Sequence, residues 1–213
     1  CVADGHHEIV LTGINLGCYG QDLGLRLSDA LKAVEKSGVE RIRLSSLEPE
    51  MITDDEIAKF SEVKGLCPHF HLSLQSGCDN VLKKMNRKYT TADYEASVNL
   101  IRKYFPLAGI TTDVIVGFPT ETEEDFKQTL EFVERVGFSQ VHIFPFSMRE
   151  GTVAQKLYKD KDMSGTIKSE RVKRLEEVAK RLKANFLAKN KTAKVLIEEK
   201  NGEYFEGYSE NYI

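Results

Sequence analysis

The segment 113–123 places the strongest constraint on the fold of this chain. An apolar run, Asp113-Val-Ile-Val116, stops in a Gly-Phe-Pro turn and is followed at once by the acidic start of a predicted helix. Two further apolar runs, within 71–77 and 141–152, also end in small or polar groups. A barrel strand that ends in this way presents its backbone to a ligand, so three such ends predict one shared pocket.

The alternation of strand and helix recurs five times. Each strand is followed by a segment whose apolar residues repeat every three or four positions, which indicates a helix with one face buried against a sheet. Parallel strands with helical crossovers form an open doubly wound sheet or a barrel, and near-equal units with polar strand ends favour the barrel. The predicted strands are 8–12, 41–45, 69–74, 109–116 and 140–146.

Four of the predicted helices have a hydroxyl residue followed by acids at the start, which is typical of a capped N-terminus. These residues are Ser28, Thr53, Thr91 and Thr122. Beyond residue 152 the alternation ends, and 168–189 predicts one long helix. Its apolar stripe consists of Leu175, Val178, Ala179, Leu182, Phe186 and Leu187. The segment 194–208 predicts a hairpin, in which Asn201-Gly202 supplies the positive backbone angles of a tight turn.

Charge and apolar runs restrict the partners. The net charge is −3, from 30 basic and 33 acidic residues, so the whole chain has no polyanion-binding signature. Residues 168–194 nevertheless contain ten basic and three acidic residues. Such a basic helix either contacts RNA or forms a solvated outer face, and charge alone does not decide. No apolar stretch of the ~18 residues needed for a membrane span is present, so a cytoplasmic protein is expected.

The cysteines and histidines predict no metal site. Four cysteines, Cys1, Cys18, Cys67 and Cys78, have the spacing neither of a zinc pair nor of a disulfide scaffold, so reduced thiols are expected. The five histidines have no ligand spacing with an acidic partner and are interpreted as structural.

Polar groups at the strand ends are candidate ligand contacts. Thr12-Gly-Ile-Asn-Leu-Gly17 could bring backbone N–H groups to an anion, and Ser45 offers a hydroxyl, although both segments also suit ordinary turns. The Gln75-Ser-Gly-Cys-Asp79 segment precedes four cations and would receive a carboxylate or phosphate. The alternative is a helix capped by Asp79 with solvated cations. Those cations are Lys83, Lys84, Arg87 and Lys88.

A flat ring is the ligand that the Val116-Gly-Phe-Pro119 turn would suit. Gly117 leaves the peptide edge accessible, and a ring such as adenine could lie on Ile115, with Phe144 and Phe146 as walls. The alternative is that these apolar residues only fill layers of the barrel.

Several long motifs resemble the radical S-adenosylmethionine methylthiotransferases, and the likeness spans 5–213. Within that family the chain is most similar to the enzymes that modify N6-threonylcarbamoyladenosine at tRNA position 37. The motifs begin at Glu8, Arg41, Leu74, Asp113 and Phe144, and the segment Gly207-Tyr-Ser-Glu-Asn-Tyr-Ile213 adds to them.

The resemblance implies a three-part enzyme with two [4Fe-4S] clusters. We expect 1–190 to be the core of a radical SAM barrel without its first strand and its Cys-x-x-x-Cys-x-x-Cys loop. Residues 191–213 are expected to begin a TRAM β domain. None of the four cysteines replaces the cluster loop, so this piece alone is expected to be inactive.

The resemblance also implies site residues. S-adenosylmethionine would be held by Thr12, Gly13, Asn15, Ser45, Gln75, Ser76, Arg87, Val116, Gly117 and Phe144. Expected RNA contacts are Lys83, Lys88, Arg149, Arg171 and Arg174. The sequence departs from the family at Thr120, where the family usually has glycine, and at Met148 and Glu150, where it has proline. If position 120 needs a positive φ, threonine would strain it by about 1 kcal/mol or more.

The function implied is transfer of a methylthio group to C2 of the modified adenine. The expected partners are tRNA, through its anticodon loop, and an electron-donor protein, with neither a membrane nor DNA. Two alternatives stay open at this point: methylthiolation of an aspartate in a ribosomal protein, and a non-catalytic RNA-binding barrel.

Overall fold

The computed structural model describes all 213 residues. Five βα units are followed by a long helix and a hairpin, which confirms the predicted α/β class and all five predicted strands. The strands are β1 (Glu8–Leu11), β2 (Arg41–Leu44), β3 (His69–His71), β4 (Gly109–Val116), β5 (Gln140–Pro145), β6 (Val195–Asn201) and β7 (Tyr204–Ser209). The helices are α1 (Leu27–Glu35), α2 (Asp54–Ser61), α3 (Asp79–Lys84), α4 (Thr91–Tyr104), α5 (Glu123–Val136), α6 (Val153–Tyr158) and α7 (Gly165–Lys189).

The chain divides into two compact units. The first comprises Cys1–Leu72, Ala96–Ile110 and Leu187–Ile213, and the second comprises Ser73–Glu95 and Thr111–Phe186. The domain boundary expected after residue 190 stays a prediction.

In the first unit, β1 and β2 are parallel and in register from Glu8↔Arg41 to Leu11↔Leu44. Beyond the ends of β2 and β3, Leu47 and Leu72 form an isolated parallel bridge. Helices α1 and α2 bury their apolar faces, as their periodicity predicts, because this removes apolar area from water. The fully buried side chains of these faces include Leu31, Ile57 and Phe60.

In the second unit, β4 and β5 are parallel and in register from Thr111↔Gln140 to Val116↔Pro145. Helix α5 buries Phe126, Phe132 and Val133. Tyr94 packs edge-on against Phe132, with ring centroids 6.0 Å apart.

Two of the four predicted helix starts are confirmed. The hydroxyl of Thr53 accepts from Glu56 N, and Thr122 forms a capping box with Asp125. The prediction at Ser28 is wrong, because the N-cap of α1 is Arg26, two residues earlier, and the buried Ser28 instead donates from N and Oγ to Glu56. The helix α4 is capped by Thr90, whose Oγ1 accepts from Asp93 N, so the prediction at Thr91 is off by one residue.

Two predicted details after residue 152 need correction. In the hairpin, only Gly202 has a positive φ, at 63°, and the two-residue loop is Gly202-Glu203 because Asn201 still pairs with Tyr204. On α7, Leu187 is exposed, so the buried stripe ends at Phe186.

Candidate functional site

The predicted shared pocket exists in the second unit. A cleft of about 950 Å³ lies where the chain leaves β3, β4 and β5, which contribute Gln75, Ile115 and Phe146 to its wall. This volume suits a nucleoside-sized ligand. The other lining residues come from the Phe118 turn, α6 and the α3 segment: Asn80, Lys83, Lys84, Met85, Asn86, Arg87, Phe118, Val153, Ala154, Leu157 and Tyr158.

Gln75 enters the cleft through an unusual backbone conformation. Its φ is 67°, in the left-handed region that non-glycine residues seldom occupy. Its N–H still donates to Asp113 O at 2.8 Å, and its carbonyl accepts from Ile115 N at 2.9 Å. Gln75 therefore remains bonded to β4 although its backbone departs from strand geometry.

Aromatic rings form one wall of the cleft. Phe118 meets Phe146 edge-on, with centroids 5.2 Å apart, and meets Tyr158 in the same way at 5.7 Å. Phe118 itself is buried together with Cys78 and Val81. This packing fixes an apolar surface on which a flat ring can lie.

The cleft also contains cations. Lys83, Lys84 and Arg87 line the cleft, and none of its lining residues is acidic. Lys84 Nζ is 3.4 Å from the carbonyl oxygen of Thr120. The arrangement provides positive charge beside an apolar wall.

Phe144 does not line this cleft. It is 50% exposed and, with β5 and α7, lines a separate groove. Of the two phenylalanines expected to wall the pocket, only Phe146 does so. The sequence could not show this, because the side on which a residue near the end of a short strand projects depends on where the regular pleating stops.

Gly117 and Val116 have structural roles that the sequence did not indicate. The φ of Gly117 is +73°, and a Cβ there would lie 2.6 Å from Lys168 Cγ. Its N–H donates to Glu121 Oε2 at 2.8 Å, and the Val116 carbonyl accepts from Phe146 N. The expectation of an accessible peptide edge is therefore wrong for these two groups.

Ser76 faces the interior rather than the cleft. It is fully buried, its Oγ is 3.3 Å from Thr129 Oγ1, and it accepts from Cys78 N. Its neighbour Gly77 has no room for a side chain, because a Cβ would meet Phe132 Cβ at 2.8 Å. Ser76 thus fixes the turn that follows Gln75, and its hydroxyl does not line the cleft.

The remaining cofactor candidates lie in the first unit. Thr12 and Ser45 each follow the paired residues Leu11 and Leu44, so the structure brings them to the same end of β1 and β2. Asn15 is exposed, but its Oδ1 accepts from Gly17 N at 3.0 Å. Gly13 is exposed beside it.

Four of the basic residues on α7 form ion pairs with acids: Lys168, Arg171, Arg174 and Arg181. Arg171 is buried and bonded to the carboxylate and the carbonyl oxygen of Glu121, so its expected contact with RNA is wrong. Arg174 pairs with Glu123 at 2.6 Å. By contrast, Lys83, Lys88 and Arg149 are exposed.

One expectation about the histidines is also wrong. The register of β4 and β5 places His142 opposite Asp113, so this histidine has an acidic cross-strand neighbour. The spacing in sequence could not indicate a pairing between two strands.

The four cysteines do not fit an iron–sulfur cluster. Cys1 and Cys18 are exposed, whereas Cys67 and Cys78 are buried. Burial raises the pKa of Cys67 to about 11, and it also raises that of Cys78, whose Sγ donates to Asp125 Oδ1 at 3.2 Å. Cluster ligands are thiolates, and these two groups are held as thiols.

The cleft does fit S-adenosylmethionine. Its aromatic wall suits an adenine, and the Gln75 amide and the Arg87 guanidinium suit the ribose and the carboxylate of the cofactor. Gln75 and Arg87 would hold these groups. When bound, this cofactor supplies an activated methyl or adenosyl group.

The match to known families agrees with this geometry. Residues 3–133 match the model of the radical SAM superfamily, so the chain belongs to that superfamily. Enzymes of that superfamily use S-adenosylmethionine and a [4Fe-4S] cluster. None of the helices combines the length and the apolar composition of a membrane span.

Similar proteins extend the comparison over the whole chain. The threonylcarbamoyladenosine tRNA methylthiotransferase MtaB of Thermotoga maritima is 45% identical over 100% of this chain and 49% of that protein. The MtaB of Bacillus subtilis is 39% identical over 98% of this chain and 48% of that protein. The tRNA-2-methylthio-N(6)-dimethylallyladenosine synthase of Clostridium tetani is 42% identical over 92% of this chain and 44% of that protein. The chain thus spans about half the length of these relatives.

Solved structures show the same fold. Coproporphyrinogen III oxidase (HemN) of Escherichia coli superposes with a TM-score of 0.60 at 20% identity, over 73% of this chain and 36% of that one. Methylornithine synthase (PylB) superposes with a TM-score of 0.57 at 17% identity, over 85% of this chain and 55% of that one. Together with the match to the superfamily model, this likeness confirms the expected radical SAM fold.

Proposed function

We propose that the protein containing this chain is a tRNA methylthiotransferase, which adds a methylthio group to C2 of N6-threonylcarbamoyladenosine at position 37 of the anticodon loop. The observation that carries the proposal is the 45% identity to MtaB of Thermotoga maritima over the full length of this chain. Such a substrate places the enzyme in the cytoplasm, and the chemistry requires an electron-donor protein.

The cleft supports this proposal by its chemistry. The adenine of the cofactor can lie against Phe118 and Phe146, while Lys83 and Lys84 attract an anionic substituent of the target base or a phosphate. We assign Gln75 and Arg87 to the cofactor. In the first unit, Thr12, Gly13, Asn15 and Ser45 stay cofactor candidates, as the sequence resemblance implies. The proposed RNA contacts are Lys83, Lys88 and Arg149, which are all exposed. The hairpin β6–β7 is proposed to begin a TRAM domain.

A second candidate differs only in the base that is modified. Relatives named tRNA-2-methylthio-N(6)-dimethylallyladenosine synthase reach 42% identity over 92% of the chain. Their substrate bears a neutral, branched apolar group in place of a carboxylate.

Nucleoside analysis of total tRNA from a strain that lacks the gene tests the proposal. We expect 2-methylthio-N6-threonylcarbamoyladenosine to disappear, its unmethylthiolated precursor to accumulate, and the intact gene to restore the product. Loss of the methylthiolated dimethylallyl nucleoside instead would establish the second candidate. Unchanged amounts of both would reject a tRNA substrate and favour the ribosomal-protein or non-catalytic alternatives.

A further inference from the structure

Two lysines on α3, Lys83 and Lys84, line the cleft and have no acidic partner. On α7, Lys168, Arg171 and Arg174 each form an ion pair with a carboxylate. The Lys83 ammonium has no hydrogen bond or ion pair, although it lines the cleft. Lys84 has only the long contact of 3.4 Å to the neutral Thr120 carbonyl. The cleft therefore holds positive charge that its own residues do not neutralise.

The surroundings strengthen that charge. Lys84 is half-buried, and the aromatic rings of Phe118, Phe146 and Tyr158 line the same cleft. Apolar walls lower the local dielectric constant, so an ammonium beside them attracts an anion more strongly than it would in water. The same walls make it costly to press a neutral apolar group against the ammonium, since this removes water without replacing its hydrogen bonds.

Backbone strain concentrates at the same place. Four non-glycine residues of the chain have a positive φ, and three of them belong to this region: Gln75 at 67°, Asn86 at 58° and Thr120 at 71°. Gln75 and Asn86 line the cleft, and Thr120 provides the carbonyl near Lys84. Strained positions persist where the surrounding structure fixes them, commonly at ligand sites.

We infer that Lys84, assisted by Lys83, binds a carboxylate on the N6 substituent of the target adenine and so determines which modified base is accepted. This inference rests on the proposed function. A threonylcarbamoyl group carries a carboxylate that can pair with the two ammonium groups, whereas a dimethylallyl group is neutral and apolar. A site built for a polar partner rejects an analogue without it, because the polar groups of the site are left unpaired.

The test compares two synthetic anticodon stem–loops that differ only in the base at position 37, one with the threonylcarbamoyl group and one with the dimethylallyl group. The intact protein is titrated with each, and the ratio of the two Kd values measures selectivity. We expect wild type to prefer the carboxylated RNA and Lys84→Met to lower this preference by about tenfold, which corresponds to about 1.4 kcal/mol. Lys84→Arg keeps the charge and should keep the preference.

Lys88→Met is the matched control. Lys88 is an exposed cation of the same segment that does not line the cleft. Loss of a phosphate contact there should weaken the binding of both RNAs equally and leave the ratio of the two Kd values unchanged. Because Lys84 makes a single weak contact, Lys84→Met should fold normally, and Lys83→Met provides an independent variant if it does not.

The outcomes separate this inference from the proposed function. If wild type prefers the carboxylated RNA and both Lys84→Met and Lys83→Met retain that preference, the assignment of the lysines is wrong while the proposed function stands. If wild type shows no preference and the deletion strain keeps its methylthiolated threonylcarbamoyl nucleoside, the proposed function itself has failed.

Discussion

The Glu121 carboxylate and the Arg171 guanidinium form a hydrogen-bonded ion pair inside the second unit, where the two residues are 2% and 4% exposed. The same carboxylate accepts from Gly117 N. Burial raises the pKa of Glu121, while the Gly117 N–H and Arg171 act against that rise. The pair therefore anchors the turn after β4, from which Phe118 reaches the cleft.

Arg171→Met should destabilise the protein by about 3–5 kcal/mol, because it leaves a buried carboxylate without its counter-charge. Urea unfolding at pH 7 measures the loss. The double variant Arg171→Met with Glu121→Gln should recover part of it, since no uncompensated charge remains. Arg181→Met is the control on the same helix: its pair with Glu134 is exposed, and its loss should cost less than about 1 kcal/mol. Equal losses for Arg171→Met and Arg181→Met would contradict this assignment.

Thr120→Gly should stabilise the protein by about 0.5–1 kcal/mol. Thr120 has a φ of 71°, and its Oγ1 is buried without a hydrogen-bond partner. A β-branched residue in this conformation is strained, and glycine relieves the strain, although its greater freedom in the unfolded chain offsets part of the gain. The melting temperature and urea midpoint report the change.

Thr122→Gly, two residues away, should change stability in the opposite direction. Thr122 has a φ of −76° and caps α5 through Asp125 N, so glycine removes a cap without relieving strain. This variant should be less stable than wild type. If both glycine variants shifted stability in the same direction, strain at position 120 would not be the cause.

The contrast between Thr120 and Ser76 shows how far sequence could lead. Strand periodicity and turn residues predicted all five βα units, and the glycine usually found in the family at position 120 suited a positive φ, which the structure has. Those features are local. The burial of Ser76, the Glu121–Arg171 pair and the choice of Phe146 over Phe144 depend on contacts between residues distant in sequence, which no local pattern specifies.

Asp125 should make a pH-dependent contribution to stability. Burial alone would raise its pKa, but hydrogen bonds from Asn80, Thr122 and Cys78 more than offset this and lower the pKa to about 2. A carboxyl whose pKa is lower in the folded state than in the unfolded state stabilises the fold above its unfolded pKa of about 3.9. That contribution is lost as the pH falls through about 2.

Asp125→Asn tests this contribution. At pH 7 the variant should be less stable by about 2 kcal/mol, and the difference from wild type should shrink steadily between pH 4 and about 2. Urea midpoints at several pH values measure it. Asp93 pairs with Thr90 on the surface and has a lowered pKa as well, so Asp93→Asn indicates what an exposed cap contributes. A pH-independent difference for Asp125→Asn would show that packing rather than charge is responsible.

Arg43 should determine how firmly the last residues of the chain are held in the first unit. Its guanidinium donates to both carboxylate oxygens of Glu8, at 2.7 and 3.1 Å, and to the carbonyl oxygens of Ser209 and Glu210, each at 3.2 Å. It also lies 5.0 Å from the ring centroid of Tyr212. Because the planar guanidinium makes all these contacts at once, neither lysine nor methionine can replace it.

In Arg43→Met, amide hydrogen exchange should increase at least about tenfold in peptides covering 195–213, since local opening then costs less free energy. Peptides from α5 in the second unit should exchange as in wild type. Arg26→Met, which removes an exposed pair with Asp55, should leave both regions unchanged. Faster exchange throughout the protein would instead mean that Arg43 supports the whole fold rather than this segment, because global unfolding exposes every amide while local opening exposes only the hairpin and the residues after it.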